Sequence, residues 1–479
     1  MGWQQRIATA LSFTEKSPKI ISDTIGVLSS QVFKDYLSKK SIEVIYSDKS
    51  SEMLLSANNN EQITYITTKP SIPQFLKPYF EHKSFEYSNL PLNGDVSVLK
   101  GLDSDTIVSI CNYVFSHNPH IVLSQSNIKE ILVNAKNDDS LKVLYEIKTS
   151  VKELLATEKT IPNVINMAEN WGKLIYQSYI QNDEAFLEDI TSIDEVSKEL
   201  IDTKTFEQVA FASTASKPLS IDKIIPYIKN KKESKAALLC FDCMGIAEWQ
   251  LLKEYLKDLN LNFAEQYLFT LLPSVTSICR TAIFHGSSNV YEVKNPGRKD
   301  ESKAFAEFFK GNQTKYFVEE DVINDDTLLG YDMVSILFNF FDDLCHSTLF
   351  PANENTKTIY FNNCKQYLEK SNVKQAIKTL LENDFAIYFC SDHGSVIAKG
   401  NGEKLQKYLI DDFAKRAVII PEEASELTEF EKIDIPFVKN KKIVLPKGRT
   451  MFTQKDKIEI NHGGISLEEI VVPFITVKK

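Results

Sequence analysis

The sequence predicts an α/β fold for its second half, in which helices cover both faces of a central sheet. Two observations lead to this prediction. Strongly apolar runs recur after residue 231, and helical patterns at residues 247–259 and 365–381 separate them. Continuous apolar runs that alternate with helices are typical of parallel strands that are buried on both faces. The four runs are residues 236–241, 267–272, 333–341 and 385–390.

The length and the composition set limits on the fold. At 479 residues, the chain is long enough for several domains of about 150 residues each. With 43% hydrophobic and 25% charged residues, it has the composition of a globular protein and not of a collagen-like or disordered chain. The net charge of −10 argues against a general nucleic-acid coat, because such proteins are usually basic.

The first part of the chain predicts a small α/β domain. Residues 41–46 and 63–68 alternate in polarity as strands do. Residues 104–115 have a helical spacing of Ile and Val. We therefore expect a small α/β domain at residues 1–118.

The next part predicts a helical connector. Residues 141–156 and 164–180 have the pattern of amphipathic helices, so we expect a helical connector domain at residues 119–220. A stretch that contains Ser, Thr, Lys and Pro at residues 213–220 marks its end. The domain with the apolar runs then comprises residues 221–479.

Signals for export or membrane insertion are missing from the sequence. The N-terminal residues contain no apolar stretch of the length that a signal peptide requires. No run approaches the 18 or more apolar residues of a transmembrane helix. The seven cysteines are scattered and odd in number, which fits a reducing compartment. The sequence therefore predicts a cytoplasmic protein that does not enter a membrane.

Carboxylate and imidazole side chains follow the apolar runs, where ligands bind in such sheets. His346 comes four residues after Asp342, on the same face if the segment is helical, and His462 precedes two glycines that allow a close approach of the backbone. Taken singly, such residues are more often helix caps, turn formers or surface histidines, so their joint occurrence carries the prediction. Imidazole with carboxylate suits zinc and tolerates manganese. The candidate metal ligands are Asp242, Asp342, His346, Asp392, His393 and His462.

Five separated motifs occur in one order along this half of the chain. Asp242 comes first, and a Pro-x-x-Thr-x-x-x-Arg run that ends at Arg280 comes second. Three more motifs follow: an Asn-Phe-Phe-Asp segment before His346, an Asp-His-Gly segment at residues 392–394 and a His-Gly-Gly-x-Ser-x-Glu-Glu run from His462. In the order and the residues of these motifs, the chain resembles the PglZ family of the alkaline phosphatase superfamily from about residue 231 onward. We relate the N-terminal half to no family.

The resemblance implies an alkaline-phosphatase-like sheet that carries two divalent metal ions. Zinc is the expected metal, and manganese is the alternative. One metal site is expected to use Asp242, Asp392, His393 and the oxygen of the nucleophile. The other is expected to use Asp342, His346 and His462. Asp343 is a neighbouring carboxylate, but the four-residue spacing to His346 favours Asp342.

The resemblance also implies that Thr276 is the nucleophile, because it matches a Ser or Thr at the start of a helix. Ser274 and Ser277 compete with Thr276 for this role, and each of the three hydroxyls can instead be a helix cap without a catalytic role. Arg280 lies one turn beyond Thr276 on the same face, where it contacts either the phosphate oxygens or an internal carboxylate. Both alternatives for Arg280 stay open at this point.

Two further features are interpreted without a catalytic role. Cys240 and Cys243 have the spacing of a redox pair, but their apolar strand indicates two ordinary buried thiols. His285 lies near the nucleophile helix and is expected to be an exposed histidine at the helix end. The chain has no Gly-rich phosphate loop with Lys, which excludes ATP hydrolysis by that route.

Taken together, the motifs imply a phosphoric ester hydrolase, with a phosphodiesterase favoured over a phosphatase. The expected substrates are nucleotide or oligonucleotide phosphoesters, and the family suggests phage defence or nucleotide signalling as the biological context. A phosphomonoesterase is one alternative. A scaffold or interaction module of a multi-protein antiviral defence complex is another, and it belongs to a different functional class.

Overall fold

The computed structural model describes residues 2–15, 17–181, 187–202, 204–348, 356–403, 405, 414–422, 430–435, 438 and 440–478. The chain divides into two compact units, residues 1–143 and 144–479. The three-part division that we expect from the sequence stays a prediction. None of the helices in the described ranges is long and apolar enough to cross a membrane.

The first unit contains a four-stranded parallel sheet. Its order is β2-β3-β1-β4, with the wholly buried strand β1 in the interior. A strand is expected at residues 41–46, but β2 is only two residues long. Both of its residues are exposed and it pairs with β3 alone, so little burial or pairing stabilises a longer strand. The elements, the last of which continues beyond this unit, are α1 (Trp3–Ala10), β1 (Lys19–Asp23), α2 (Gln31–Lys39), β2 (Ile45–Tyr46), α3 (Ser50–Asn58), β3 (Thr64–Thr67), β4 (Glu81–Phe85), β5 (Asn93–Gly94), α4 (Ser104–His117), β6 (Val122–Leu123) and α5 (Ile128–Leu155).

The second unit begins with helices and continues with a six-stranded sheet and two small sheets. Its elements are α6 (Ile161–Gln181), α7 (Ile190–Asp202), α8 (Thr205–Ala212), α9 (Ile224–Lys231), β7 (Ala236–Phe241), α10 (Ile246–Tyr255), β8 (Asn262–Phe269), α11 (Thr276–His285), α12 (Arg298–Phe308), β9 (Thr314–Val318), α13 (Asp325–Leu328), β10 (Met333–Phe338), α14 (Phe340–Ser347), α15 (Thr356–Lys370), α16 (Val373–Glu382), β11 (Ala386–Ser391), β12 (Val396–Gly400), β13 (Val418–Pro421), β14 (Glu431–Asp434), β15 (Lys441–Leu445), β16 (Thr450–Met451), β17 (Ile458–Asn461), α17 (Leu467–Ile470) and β18 (Val471–Lys478).

The large sheet confirms the predicted α/β architecture. Alternate residues of β7 enter two different cores: Leu239 and Phe241 belong to one, and Leu238 and Cys240 belong to the other. Since successive side chains of a strand point to opposite faces, the sheet is covered on both sides. This burial explains why its strands are continuous apolar runs in the sequence.

The sheet is mixed, whereas the apolar runs predicted a parallel one. Its order is β8-β18-β11-β7-β10-β9, and β18 runs antiparallel to both of its neighbours. The chain enters β18 through the short helix α17, at the edge of the sheet where β11 ends. A strand that starts at that edge must run back against β11, because a parallel connection needs a crossover of about a dozen residues or more.

Six strands between β11 and β18, β12 to β17, form two additional three-stranded sheets. Their orders are β16-β12-β17 and β13-β15-β14. The run at residues 333–341 also differs from its expected form, because β10 ends at Phe338 and α14 begins at Phe340. This early change from strand to helix places Asp342 and His346 on one helix.

Candidate functional site

The six candidate ligands lie at the carboxyl edge of the large sheet. Asp242 follows the central strand β7, whose neighbours are β10 and β11 in parallel register. Asp342 lies on α14 just after β10, and Asp392 follows β11 directly. His462 follows β17 of a small sheet, so the ligands come from four separate segments. They form two groups of three.

The first group is Asp242, Asp392 and His393. One ligand atom of each lies within 4.8 Å of the others, and all three residues are buried. His393 Nε2 lies 3.6 Å from Asp242 Oδ1 and 3.6 Å from Asp392 Oδ2. Two carboxylates and an imidazole at these distances suit a divalent cation.

The second group is Asp342, His346 and His462. Asp342 Oδ1 lies 3.2 Å from His346 Nε2 and 3.5 Å from His462 Nε2, and the two imidazole nitrogens are 3.2 Å apart. Asp342 and His346 meet because they are one helical turn apart on α14. Asp343 is exposed, so the structure brings Asp342 and not Asp343 into this group.

The two groups are adjacent. The rings of His393 and His462 stack with their centroids 4.1 Å apart and their planes at 16°. These rings belong to different groups, so two cations held there would be close neighbours, as in two-metal phosphoesterase sites.

Backbone carbonyls set the tautomers of the two buried histidines. His393 Nδ1 lies 3.2 Å from Gly394 O, and His462 Nδ1 lies 3.3 Å from Ser274 O. We assign the ring proton to Nδ1 in both, because a carbonyl oxygen can only accept. Each Nε2 is then unprotonated, which is the state that a metal-ligating histidine requires.

Three carboxylate oxygens of the site provide a test for bound metal. Asp242 Oδ1, Asp342 Oδ1 and Asp392 Oδ2 are buried and have no hydrogen-bond partner within the described part of the chain. A buried carboxylate oxygen without a partner is costly, and a divalent cation would satisfy it. One such oxygen in the second group and two in the first fit the two metal sites that the resemblance implies.

The pKa values of the ligands follow from burial and from their neighbours. Burial lowers the pKa of His393 to about 4, and burial with the charge of His393 lowers that of His462 to about 3, so both rings are neutral at pH 7. Burial raises the pKa of Asp392, and burial with the charge of Asp392 raises that of Asp242. Burial also acts to raise the pKa of Asp342, but the nearby histidines outweigh it and lower that pKa.

Thr276 is the first residue of α11 and faces the first group. Its Oγ1 donates to His393 Nε2 at 2.9 Å. Ser274 is fully buried, and its Oγ donates to Gly464 O at 2.8 Å, which fixes it away from a nucleophile role. Ser277 is half-buried on the same helix as Thr276. Among the three hydroxyls considered from the sequence, the contact with a ligand nitrogen favours Thr276.

Arg280 contacts internal carboxylates, which is the second of the two alternatives. Its Nη1 donates to Asp242 Oδ2, and its Nε donates to Glu301 Oε1 at 2.8 Å. Arg280 is 7% exposed. A contact between Arg280 and a phosphate stays a prediction.

No structural role was predicted from the sequence for Glu469, the last residue of the run that begins at His462. Glu469 Oε1 accepts from Arg416 Nε and from Gly464 N, both at 2.8 Å, and its Oε2 accepts from Ser466 N at 3.0 Å. Glu469 is fully buried, so these bonds fix the loop that holds His462. The Ser-x-x-Glu pattern of a capping box was the signal that could have revealed Glu469.

The remaining residues singled out from the sequence lie outside the two groups. Cys240 and Cys243 are free and buried, which confirms that they are ordinary buried thiols. His285 Nε2 lies 2.8 Å from Asp300 Oδ2 and is partly exposed at the end of α11.

The chain was compared with curated proteins and with solved structures. No curated protein matches the chain. Among solved structures, murine ectonucleotide pyrophosphatase / phosphodiesterase 5 is 12% identical with a TM-score of 0.32, and the match covers 50% of this chain and 87% of that one. The human form of that protein is 11% identical with a TM-score of 0.32, and the match covers 50% and 87%. Phosphonoacetate hydrolase from Sinorhizobium meliloti 1021 is 12% identical with a TM-score of 0.29, and the match covers 51% and 90%.

A sequence family covers the half of the chain that carries the site. The family described as "BREX system PglZ alkaline phosphatase-like domain" matches residues 221–477. This range includes all six candidate ligands, Thr276 and Arg280. The match spans more than half of the chain, and the chain therefore belongs to the PglZ family of alkaline phosphatase-like domains.

Proposed function

We propose that the chain is a metal-dependent phosphodiesterase that cleaves nucleotide or oligonucleotide phosphoesters. The family is alkaline phosphatase-like, which supports phosphoester hydrolysis as the general reaction. The observation that supports the finer proposal most is the position of Thr276. Its hydroxyl lies 2.9 Å from a ligand nitrogen of the first group, beside the stacked histidines that join the two groups.

In this proposal the two groups hold one divalent cation each, zinc or manganese. When bound, such cations lower the pKa of a nearby hydroxyl and stabilise the charge on the oxygen of the leaving group. The first cation is held by Asp242, Asp392, His393 and Thr276 Oγ1. The second cation is held by Asp342, His346 and His462.

Thr276 supplies the attacking oxygen. The hydroxyl gives up its proton to solvent, Oγ1 attacks the phosphorus, and the bond to the leaving oxygen breaks as that oxygen takes up a proton. The product is a threonine phosphodiester that still carries the other ester group of the substrate. The first backbone N–H groups of α11 point towards its N-terminal end, where a phosphate oxygen can accept from them. Water then attacks the phosphorus, the bond to Oγ1 breaks, and the phosphomonoester leaves as the threonine hydroxyl is restored.

Metal content and substrate preference test the proposal together. Protein purified without chelator should contain about two equivalents of zinc or manganese by elemental analysis. It should hydrolyse a chromogenic phosphodiester faster than the corresponding monoester, and chelation should abolish the activity until metal is restored. Hydrolysis of the monoester alone would contradict the diester assignment. A chain that binds neither metal would contradict the enzymatic proposal and favour the scaffold.

The family description also supports a proposal about biological context. It names the BREX system, and we propose on that basis that the chain acts in antiviral defence in the cytoplasm with protein partners. Co-purification of partners with the tagged full chain from its native host would test this. Recovery of the chain alone under native conditions would count against it.

A further inference from the structure

Glu301 and Tyr316 connect to the candidate metal site through Arg280. Arg280 Nη1 donates to Asp242 Oδ2, and Arg280 Nε donates to Glu301 Oε1 at 2.8 Å. The other oxygen of Glu301, Oε2, accepts from the hydroxyl of Tyr316 at 2.6 Å. Glu301 is 1% exposed and Asp242 is 3% exposed. Four side chains therefore form a continuous series of hydrogen bonds that ends at a candidate metal ligand.

The series gives the two oxygens of Asp242 different environments. Oδ2 accepts from Arg280, whereas Oδ1 has no hydrogen-bond partner in the described ranges and lies 3.6 Å from His393 Nε2. Asp242 therefore presents one oxygen to a cation and keeps the other for Arg280. The orientation of its carboxylate depends on where the guanidinium is held.

Glu301 fixes the position of the Arg280 guanidinium and balances its positive charge. A guanidinium is planar with donors in a fixed fork, so contacts at Nε and at Nη1 together define its plane. Glu301 also supplies a negative charge that balances Arg280 beside the metal site. Without that charge, Arg280 would be a buried cation that shares its only remaining carboxylate contact described above, Asp242, with a divalent metal.

We infer that Glu301 is a positioning residue for the metal-binding carboxylate of Asp242, and that it acts through Arg280. The inference rests on the metal site proposed above. The parts come from different elements: Glu301 lies on α12, Tyr316 on β9 and Arg280 on α11. One strand of the large sheet, β9, and two helices, α11 and α12, thus orient the carboxylate of Asp242.

Zinc titration of the metal-free full chain, followed by calorimetry, tests this inference. Glu301→Gln keeps the size of the side chain but removes its charge. We expect one of the two zinc equivalents to bind about 10- to 100-fold more weakly, which is the usual effect of losing a group that orients a ligand. The second equivalent should bind as in the parent. A general loss of stability would weaken both.

Three further variants complete the test. Arg280→Lys keeps the charge but cannot contact both carboxylates in the same fork, so it should weaken the same equivalent. Tyr316→Phe removes one hydrogen bond to Glu301 and should cause a smaller loss there, and it decides the matter if Glu301→Gln does not fold. Asp300→Asn is the matched control, because Asp300 neighbours Glu301 on α12 but pairs with His285. It should bind zinc as the parent does.

The possible failures are distinguishable. The inference is overturned if folded Glu301→Gln binds both zinc equivalents as the parent does. If that variant does not fold, the same result with Tyr316→Phe overturns it. In either case the proposed function still stands. A parent chain that binds no zinc would overturn both.

Discussion

Burial shifts the pKa values of two histidines and two carboxyls of the site in opposite directions. His393 and His462 are already neutral at pH 7 because burial lowers the pKa of each. Asp242 and Asp392 show the opposite behaviour, since burial raises the pKa of each above its ordinary value. A carboxyl with a raised pKa holds its proton to higher pH, and the proton must leave before the oxygen can bind a metal.

Zinc binding to the metal-free chain should therefore release protons, and the affinity should rise with pH. The sign follows from the raised pKa of Asp242, because raising the pH removes the proton that competes with zinc. Calorimetry in two buffers of different ionisation enthalpy measures the number of protons released. Equal observed enthalpies in the two buffers would contradict the prediction.

Thr276→Ala should remove the nucleophile and leave the metal sites assembled. All six protein ligands remain, so folding and zinc content should persist. We expect turnover of a chromogenic diester to fall by about 100-fold or more, because covalent catalysis is lost. Thr276→Ser keeps a hydroxyl and should retain much more activity.

Ser277→Ala is the control for the nucleophile assignment. Ser277 neighbours Thr276 on the same helix, and its loss should cost less activity. Metal content must be measured for each variant, because a lost metal would mimic a lost nucleophile. Turnover at the parent rate by Thr276→Ala with two metals bound would show that the assignment is wrong.

At the scale of elements, the segment after β11 is held against the start of α17. A Cβ added to Gly394 would lie 2.0 Å from the backbone oxygen of Glu468. Backbone atoms at that distance must move apart, and Gly394 directly follows the candidate ligand His393. The position therefore requires glycine for space.

Gly394→Ala should destabilise the chain and weaken zinc binding. We expect the free energy of unfolding to fall by about 2–3 kcal/mol, as is usual when a packed interior is overfilled. Denaturant unfolding and zinc titration measure the two effects. Gly330→Ala is the control: its added Cβ meets no atom within 4 Å, but its φ of +80° makes it destabilising without altering the zinc affinity. Parent-like zinc affinity in Gly394→Ala would rule out the close contact as a determinant of the site.

Elements with a strong local pattern were predictable from the sequence, and those set by distant partners were not. The run that contains β7 is apolar because both faces of the strand are buried, so its position was clear. The antiparallel direction of β18 depends on which edge of the sheet the chain reaches, and no local pattern encodes that. The same holds for Glu301, which lies 21 positions from Arg280 and has no motif of its own.

At the scale of the whole molecule, helices between residues 144 and 221 complete the core of the second unit. Trp171 and Leu174 of α6 belong to the same hydrophobic core as Leu239 and Phe241 of the central strand. Trp171 Nε1 also donates to Glu468 Oε1 at 2.8 Å. The family match begins at residue 221, but the folded unit requires residues before it.

Two fragments should therefore behave differently. Residues 217–479 should aggregate, because removal of α6 exposes an apolar face of the core. Residues 144–479, the whole second unit, retain α6 and the part of α5 that packs in this core, and they should be soluble and bind two equivalents of zinc. Size-exclusion chromatography and elemental analysis distinguish them. A monomeric, zinc-loaded 217–479 fragment would show that the earlier helices are dispensable.

The interior position of β18 has a consequence for the order of events during synthesis. β18 lies between β8 and β11, and all six candidate ligands precede it in the chain. The ribosome must release residues 471–478 before the sheet can close and the loop that carries His462 can settle against it. Until then the partly made chain has an open gap between two apolar strands. Metal uptake is therefore expected to follow the synthesis of β18, and a nascent chain stalled before residue 471 should depend on chaperones to stay soluble.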